Sequence, residues 1–186
     1  YRHKFINFQT AVFTNLRPEH IEAHGSFEKY RVAKAKLFKI AKKIHILNID
    51  DENANYFLRF PAEKKYTFAI KNQKADITLN KINLKILLLG EFTLYNALAA
   101  IAIGFSQGVG LDKAADTLKI IKEIPGRMEL IIEKPFKVFV DLAHTPDSFE
   151  EIFKTVKTIP HNRTISLLGS AGGGRDKWKR PELGRI

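Results

Sequence analysis

The chain has 186 residues, 45% hydrophobic and 27% charged, a balance that fits one folded domain, or one and part of another, and excludes disorder. It contains no cysteine, which excludes a disulfide framework and a thiolate metal site and fits a reducing, cytoplasmic setting. The formal net charge of +11 favours polyanionic partners such as nucleic acid, phosphorylated small molecules or acidic lipid heads.

The lysines are spread along the chain rather than gathered in one block, so a solvated surface explains many of them. The longest apolar stretch, around "NALAAIAIGF", is far shorter than the roughly 18–20 residues of a membrane span. No charged-then-apolar leader opens the chain. It begins "YRHKFINFQT", without methionine, as a fragment would.

Strand-like and helix-like segments alternate. "TAVFTN" predicts a short buried strand ending in a polar turn. Ser26 is a candidate N-cap for a helix through "SFEKYRVAKAKLFKIAKKI", with Phe27, Tyr30, Ala33, Leu37, Ile40 and Ile44 on its inner face. "IHILNID" predicts the next strand, and "YTFAIK" and "DITL" predict further strands before a seven-residue run, "LKILLLG", that also reads as strand. "EFTLYNALAAIAIGFSQG" predicts an apolar helix ending near Gly108 and Gly110. "LDKAADTLKIIKEI" predicts an amphipathic one, stopped by Pro125-Gly126. The pattern then restarts. "RMELIIE" and "FKVFVDLA" look like a strand pair, Thr145 and Pro146 open a helix through "PDSFEEIFKTVKTI", and "RTISLLG" predicts a last strand. Two strand–helix series meeting near residue 125 predict an α/β protein with domains at 1–124 and 125–186 and ligands at the carboxyl ends of strands.

Several positions carry chemistry. The glycine loop "GSAGGGRDKWKRP" lacks the Gly-Lys-Ser/Thr of a phosphate-binding Walker loop. It offers free backbone amides, Arg175 for a bidentate anion contact and Asp176, and a plain surface loop fits equally well. His20 and His24, beside Glu19 and Glu22, form either a divalent-cation site or a solvated polar loop. Lys34 borders the helix's inner face, where it either snorkels to water or serves a ligand. Asp141 ends a strand and His144 lies in the turn before a helix, a place where an acid binds ribose hydroxyls; turn chemistry is the other reading. Asn96 is an amide on an otherwise apolar helix, which requires a partner if buried.

Taken in order, "AVFTNLRPEHIEAHG…YRVAKAKLF", "ILNIDDE", "GEFTLYNALAAIAI", "IPGRMEL", "VDLAHTPDS" and "GSAGGGRDKWKRPELG" closely resemble the Mur ligases, nearest to the MurE type, the UDP-N-acetylmuramoyl-tripeptide synthetases. The resemblance runs over nearly the whole chain. It implies the later part of a central ATPase-like domain followed by the start of a Rossmann-like C-terminal domain, with the Walker loop upstream, the rest of the third domain downstream, and no activity in the fragment alone.

The family's reaction implies ATP and Mg²⁺ as cofactors, with UDP-MurNAc-L-Ala-D-Glu and a diamino acid, meso-diaminopimelate or L-lysine, as substrates. ATP phosphorylates a substrate carboxylate and an amine attacks the acyl phosphate in cytoplasmic peptidoglycan synthesis, with no nucleic acid or membrane partner. By resemblance, His20 binds Mg²⁺ and Lys34, carbamylated, helps hold a second Mg²⁺. Asn96 contacts adenine, Arg127 the ATP phosphates, Asp141 the ribose, with His144 close to the nucleotide. Arg175 meets the carboxylate of the incoming amino acid. The chain departs from the common pattern at Glu19 (for Asp), Thr93 (for Asn), Leu142 (for Tyr) and Gly174, where an acid is frequent and the loop is one residue longer.

A folylpolyglutamate-synthetase-like ligase shares the expected fold and the lysine. A non-catalytic, basic nucleic-acid-binding module is the alternative of a different class, and its mark would be base-stacking aromatics on an exposed basic face. Here most aromatics occupy apolar-periodic positions.

Overall fold

The structure, a computed structural model, describes residues 5–169 and 176–186. Its centre is a parallel sheet in the order β1-β2-β3-β4: Thr10–Phe13, Ile44–Asn48, Lys64–Ala69 and Ile77–Thr78. The register pairs Thr10 with Ile44, Ile46 with Tyr66 and Phe68 with Ile77. β2 is buried along almost its whole length, as a strand covered on both faces must be.

Side chains alternate between the two faces. Ala11, Phe13 and Leu47 enter one core with Tyr30, Phe38 and Phe57. Ile46, Phe68 and Ile77 enter a second core with Leu98, Ile101 and Ala115. The first is covered by α2 (Phe27–Ile40) and α3 (Ala54–Leu58), the second by α4 (Glu91–Ser106) and α5 (Leu111–Lys119). Phe13 and Phe57 stack with ring centroids 4.2 Å apart, and each buried phenyl ring contributes about 2–3 kcal/mol.

A short helix, α1 (Ile21–His24), follows β1. After α5 comes an antiparallel pair, β5 (Glu129–Ile132) and β6 (Val138–Val140), then α6 (Pro146–Lys157) and α7 (Lys179–Leu183). Both expected N-caps form. Ser26 Oγ accepts the Lys29 N–H at 3.2 Å. Thr145 Oγ1 accepts from the Ser148 N–H while Ser148 Oγ accepts the Thr145 N–H at 3.0 Å, a capping box.

Three expectations are corrected. "LKILLLG" and "RTISLLG" are not strands, and Leu87, Ile165 and Leu167 are exposed. A run of apolar residues becomes a strand only beside an edge with free N–H and C=O groups, and among the described residues neither run pairs with one. The buried face of α2 consists of Tyr30, Ala35 and Phe38, continuing into Ala41, while Ile40 is exposed. Two overlapping stripes share that segment, and Phe38, packed at tilted angles against Phe57 and Phe60, sets which one turns inward. Helices α3 and α7, five residues each, are too short to show a full apolar period.

Candidate active site

The carboxyl ends of β1, β2 and β3 open into a cleft of about 1030 Å³, closed on the other side by α4, the turn at Arg127, the end of β6 and the start of α6. Lys34, Asn96, Arg127 and Asp141 all stand in its wall, together with Glu19, Asp50 and Asp51. Four residues picked from separate motifs therefore converge on one hollow.

Asn96 reaches the cleft because α4 turns Phe92, Tyr95 and Asn96 away from its buried side. The amide is exposed rather than buried, which removes the requirement for an internal partner. Arg127 follows Gly126, whose φ of 68° permits the tight turn after Pro125. Asp141 has a structural duty as well: its oxygens accept the N–H groups of Met128 at 2.8 Å and Ala143 at 2.7 Å. The Met128 bond ties the end of β6 to the turn carrying Arg127.

His20 and Lys34 both border the ring of Tyr30. The imidazole stands edge-on, 6.1 Å between centroids, and Lys34 Nζ lies 5.2 Å from the ring centroid. Lys34 is in the cleft wall, but His20 is not. The left-handed backbone of His20, φ 56°, turns its ring toward Asp176, Nδ1 to Oδ2 3.5 Å, with Nε2 3.7 Å from Glu19. His144 also stands outside the wall. Its Nδ1 meets the Leu142 carbonyl at 3.0 Å and its Nε2 the Glu19 carboxylate at 3.1 Å, so Glu19 links both histidines to the cleft. Arg175, with the glycine loop at residues 170–175, lies outside the described residues.

The loop after β1 is bolted to the end of β2. Asn48 Nδ2 donates to the Thr14 carbonyl at 2.8 Å, Asp51 accepts the Leu16 N–H at 3.3 Å, and Asn53 donates to the Leu16 carbonyl at 3.3 Å. Asp50 accepts the N–H groups of Ile70, Lys71 and Asn72 at 2.7–2.9 Å and the Tyr95 hydroxyl at 3.0 Å. Burial pushes the Asp50 carboxyl up, but these four donors outweigh it and hold it below its ordinary value. Burial, then the Asp50 carboxylate, pushes the Tyr95 phenol well up. Neither Asp50 nor Tyr95 was singled out by the sequence reading. The signal was the acid pair placed directly after a strand in "ILNIDDE".

Glu19, Asp50 and Asp51 in the cleft wall offer carboxylate oxygens, donors that suit a hard cation, while both imidazoles stand outside the wall. Among the described residues no three of His, Asp and Glu stand ready to hold a metal ion. A carbamate on Lys34, in the cleft wall, would add an anionic oxygen ligand of the kind a hard cation takes.

The chain matches two family descriptions, Mur ligase middle domain over residues 1–104 and Mur ligase, glutamate ligase domain, over residues 126–186. The chain belongs to the Mur ligase family. This Mur ligase segment is 33% identical over 202 aligned residues to UDP-N-acetylmuramoyl-L-alanyl-D-glutamate--2,6-diaminopimelate ligase 1 of Clostridium acetobutylicum, covering 97% of this chain and 41% of that protein. It therefore spans well under half the length of that curated relative. A solved structure of a UDP-N-acetylmuramoyl-L-alanyl-D-glutamate--2,6-diaminopimelate ligase superposes with a TM-score of 0.68 at 28% identity, over 99% of this chain and 42% of that one. The apo form of FPGS from L. casei superposes with a TM-score of 0.63 at 16% identity, over 85% of this chain and 44% of that one, a likeness of fold alone. Among the described residues no helix is long and apolar enough to cross a membrane.

Proposed function

We propose that this chain works within a cytoplasmic, ATP-dependent ligase of the MurE type, joining a diamino acid to UDP-MurNAc-L-Ala-D-Glu in peptidoglycan synthesis. The observation that carries the reading is the shared cleft of Lys34, Asn96, Arg127 and Asp141 at the carboxyl ends of a parallel sheet, where α/β folds bind ligands. Residues 1–124 and 125–186 act as the two lobes around it.

In this reading Asn96 meets the adenine and Asp141 the ribose, with His144 alongside. Arg127 supplies positive charge to the phosphates, where the transferred phosphoryl group spreads negative charge over its oxygens. Mg²⁺ would be held by His20 and by Lys34 as its carbamate, and when bound it neutralises charge on the phosphate oxygens. Carbamylation converts the ammonium of Lys34 into an anionic oxygen ligand, which removes the repulsion between lysine and a cation. Phosphoryl transfer to the D-glutamate side-chain carboxylate forms an acyl phosphate. The amine of the diamino acid attacks its carbonyl carbon, and inorganic phosphate leaves. Arg175 binds the carboxylate of that amino acid.

The test uses full-length ligase carrying residues 1–186. Lys34→Ala abolishes ATP-dependent ligation, with partial rescue by bicarbonate or a short carboxylic acid. Mass spectrometry under CO₂-replete conditions finds a labile carbamate on Lys34. Undiminished ligation by Lys34→Ala defeats the assignment.

A further inference from the structure

Two non-glycine residues with left-handed backbones meet across the lobes: His20, φ 56°, and Asp176, φ 50°. The His20 N–H donates to Asp176 Oδ2 at 3.1 Å. In the opposite direction, the Glu22 carboxylate accepts the N–H of Asp176 at 2.8 Å and of Lys177 at 2.9 Å, one oxygen to each. Two successive N–H groups converging on an anion form a backbone nest, and here the anion is a side chain 154 residues away.

Asp176 is buried and Lys179, also buried, lies 3.8 Å from its carboxylate and 4.0 Å from Glu19. The N–H of His20 and the Lys179 ammonium offset the burial of that carboxylate. Non-glycine residues with positive φ persist only where the surroundings hold them. Both of these are held by the same exchange of hydrogen bonds.

We propose that Glu22 is a positioning residue. Its carboxylate, seated on the amides of Asp176 and Lys177, latches the segment just after Arg175 to the loop bearing Glu19 and His20. The N–H of Asp176 belongs to the peptide bond that begins at the Arg175 carbonyl. The latch thus ties the loop bearing Glu19 and His20 to the residues that directly follow Arg175, the residue proposed to bind the amine-bearing substrate. Its consequence for ligation rests on the proposed ligase reading; the latch itself does not.

Residue-resolved amide hydrogen exchange on the 186-residue chain tests the latch. Glu22→Ala raises exchange at Asp176 and Lys177 at least about tenfold, as expected for loss of hydrogen bonds to a charged group. Ile46 and Phe68 in the sheet keep their protection. Glu22→Gln, isosteric but uncharged, gives an intermediate rise. Unchanged exchange at residues 176 and 177 in both variants overturns the latch. In the full-length ligase, Glu22→Gln raises the KM for the diamino acid about tenfold and leaves the KM for ATP within about twofold. Equal rises in both KM values overturn the positioning role. Absence of ligation by the unsubstituted full-length protein overturns the ligase reading, while the exchange result still decides the latch.

Discussion

The imidazole of His144 meets the carboxylate of Glu19 at 3.1 Å across 125 positions of chain. One end of the contact follows β6 and the other follows β1, so it joins the two sides of the cleft at its rim. Both side chains are partly exposed, and such a pair is worth only about 0–1 kcal/mol. His144→Ala therefore leaves the thermal midpoint within a few degrees. On the proposed ligase reading, it raises the KM for ATP in the full-length protein, since a partner of Glu19 at the cleft rim is lost. Calorimetry and steady-state kinetics on the same variant separate the two effects, and a large fall in stability with unaltered KM contradicts this account.

Asp50 gathers four donors at one carboxylate. Asp50→Ala leaves three backbone N–H groups and the Tyr95 hydroxyl without that acceptor, at a cost of about 2–3 kcal/mol. The folded carboxyl lies below its ordinary 3.8. Its contribution is thus complete above that unfolded value and is lost as pH falls through the folded one. Urea unfolding between pH 5 and pH 2 shows a steep acid limb that Asp50→Ala flattens.

His45 is fully buried in β2, with Nε2 2.7 Å from the Ala41 carbonyl. Burial, aided by Lys65, lowers its pKa below 6.5 in the folded state, against the opposing pull of the Ala41 carbonyl. The unfolded chain then binds the proton more readily. Stability is full above 6.5 and declines as pH falls through that value toward the folded one. Urea midpoints at pH 7.5 and 5.5 differ in the native chain, and the difference shrinks in His45→Leu.

Gly90 has φ 91°, and a Cβ there would lie 2.5 Å from Phe92 Cε1 and 2.7 Å from Thr155 Oγ1. Thr155 cannot easily yield, because its hydroxyl donates to the Glu151 carbonyl at 2.8 Å. Gly90→Ala costs about 2 kcal/mol or more through backbone strain and the clash. It also pushes α6 from α4, so chemical denaturation shows a lower midpoint and the affinity for ATP in the full-length ligase falls. An unchanged midpoint contradicts the close approach.

Segments whose local signals agreed with their surroundings were legible in advance. β1, β2, α4 and α6 combine runs of suitable residues, caps and stops that act within one turn or one strand. Ser26 and Thr145 cap as their side chains dictate, because capping needs only the next few residues. The strands anticipated at "LKILLLG" and "RTISLLG" did not form, because pairing depends on a distant edge that no local pattern encodes.

The resemblance of ordered motifs along the chain nominated Lys34, Asn96, Arg127 and Asp141, with His20, His144 and Arg175, because each motif is a short local run of residue types. The meeting of the first four in one cleft, the turning of His20 toward Asp176 and the seating of Glu22 on two distant amides were decided by tertiary structure alone. Hydrogen bonds and packing between segments more than a hundred residues apart exist only once the sheet and the segments after α5 have assembled, and a linear sequence does not contain those distances.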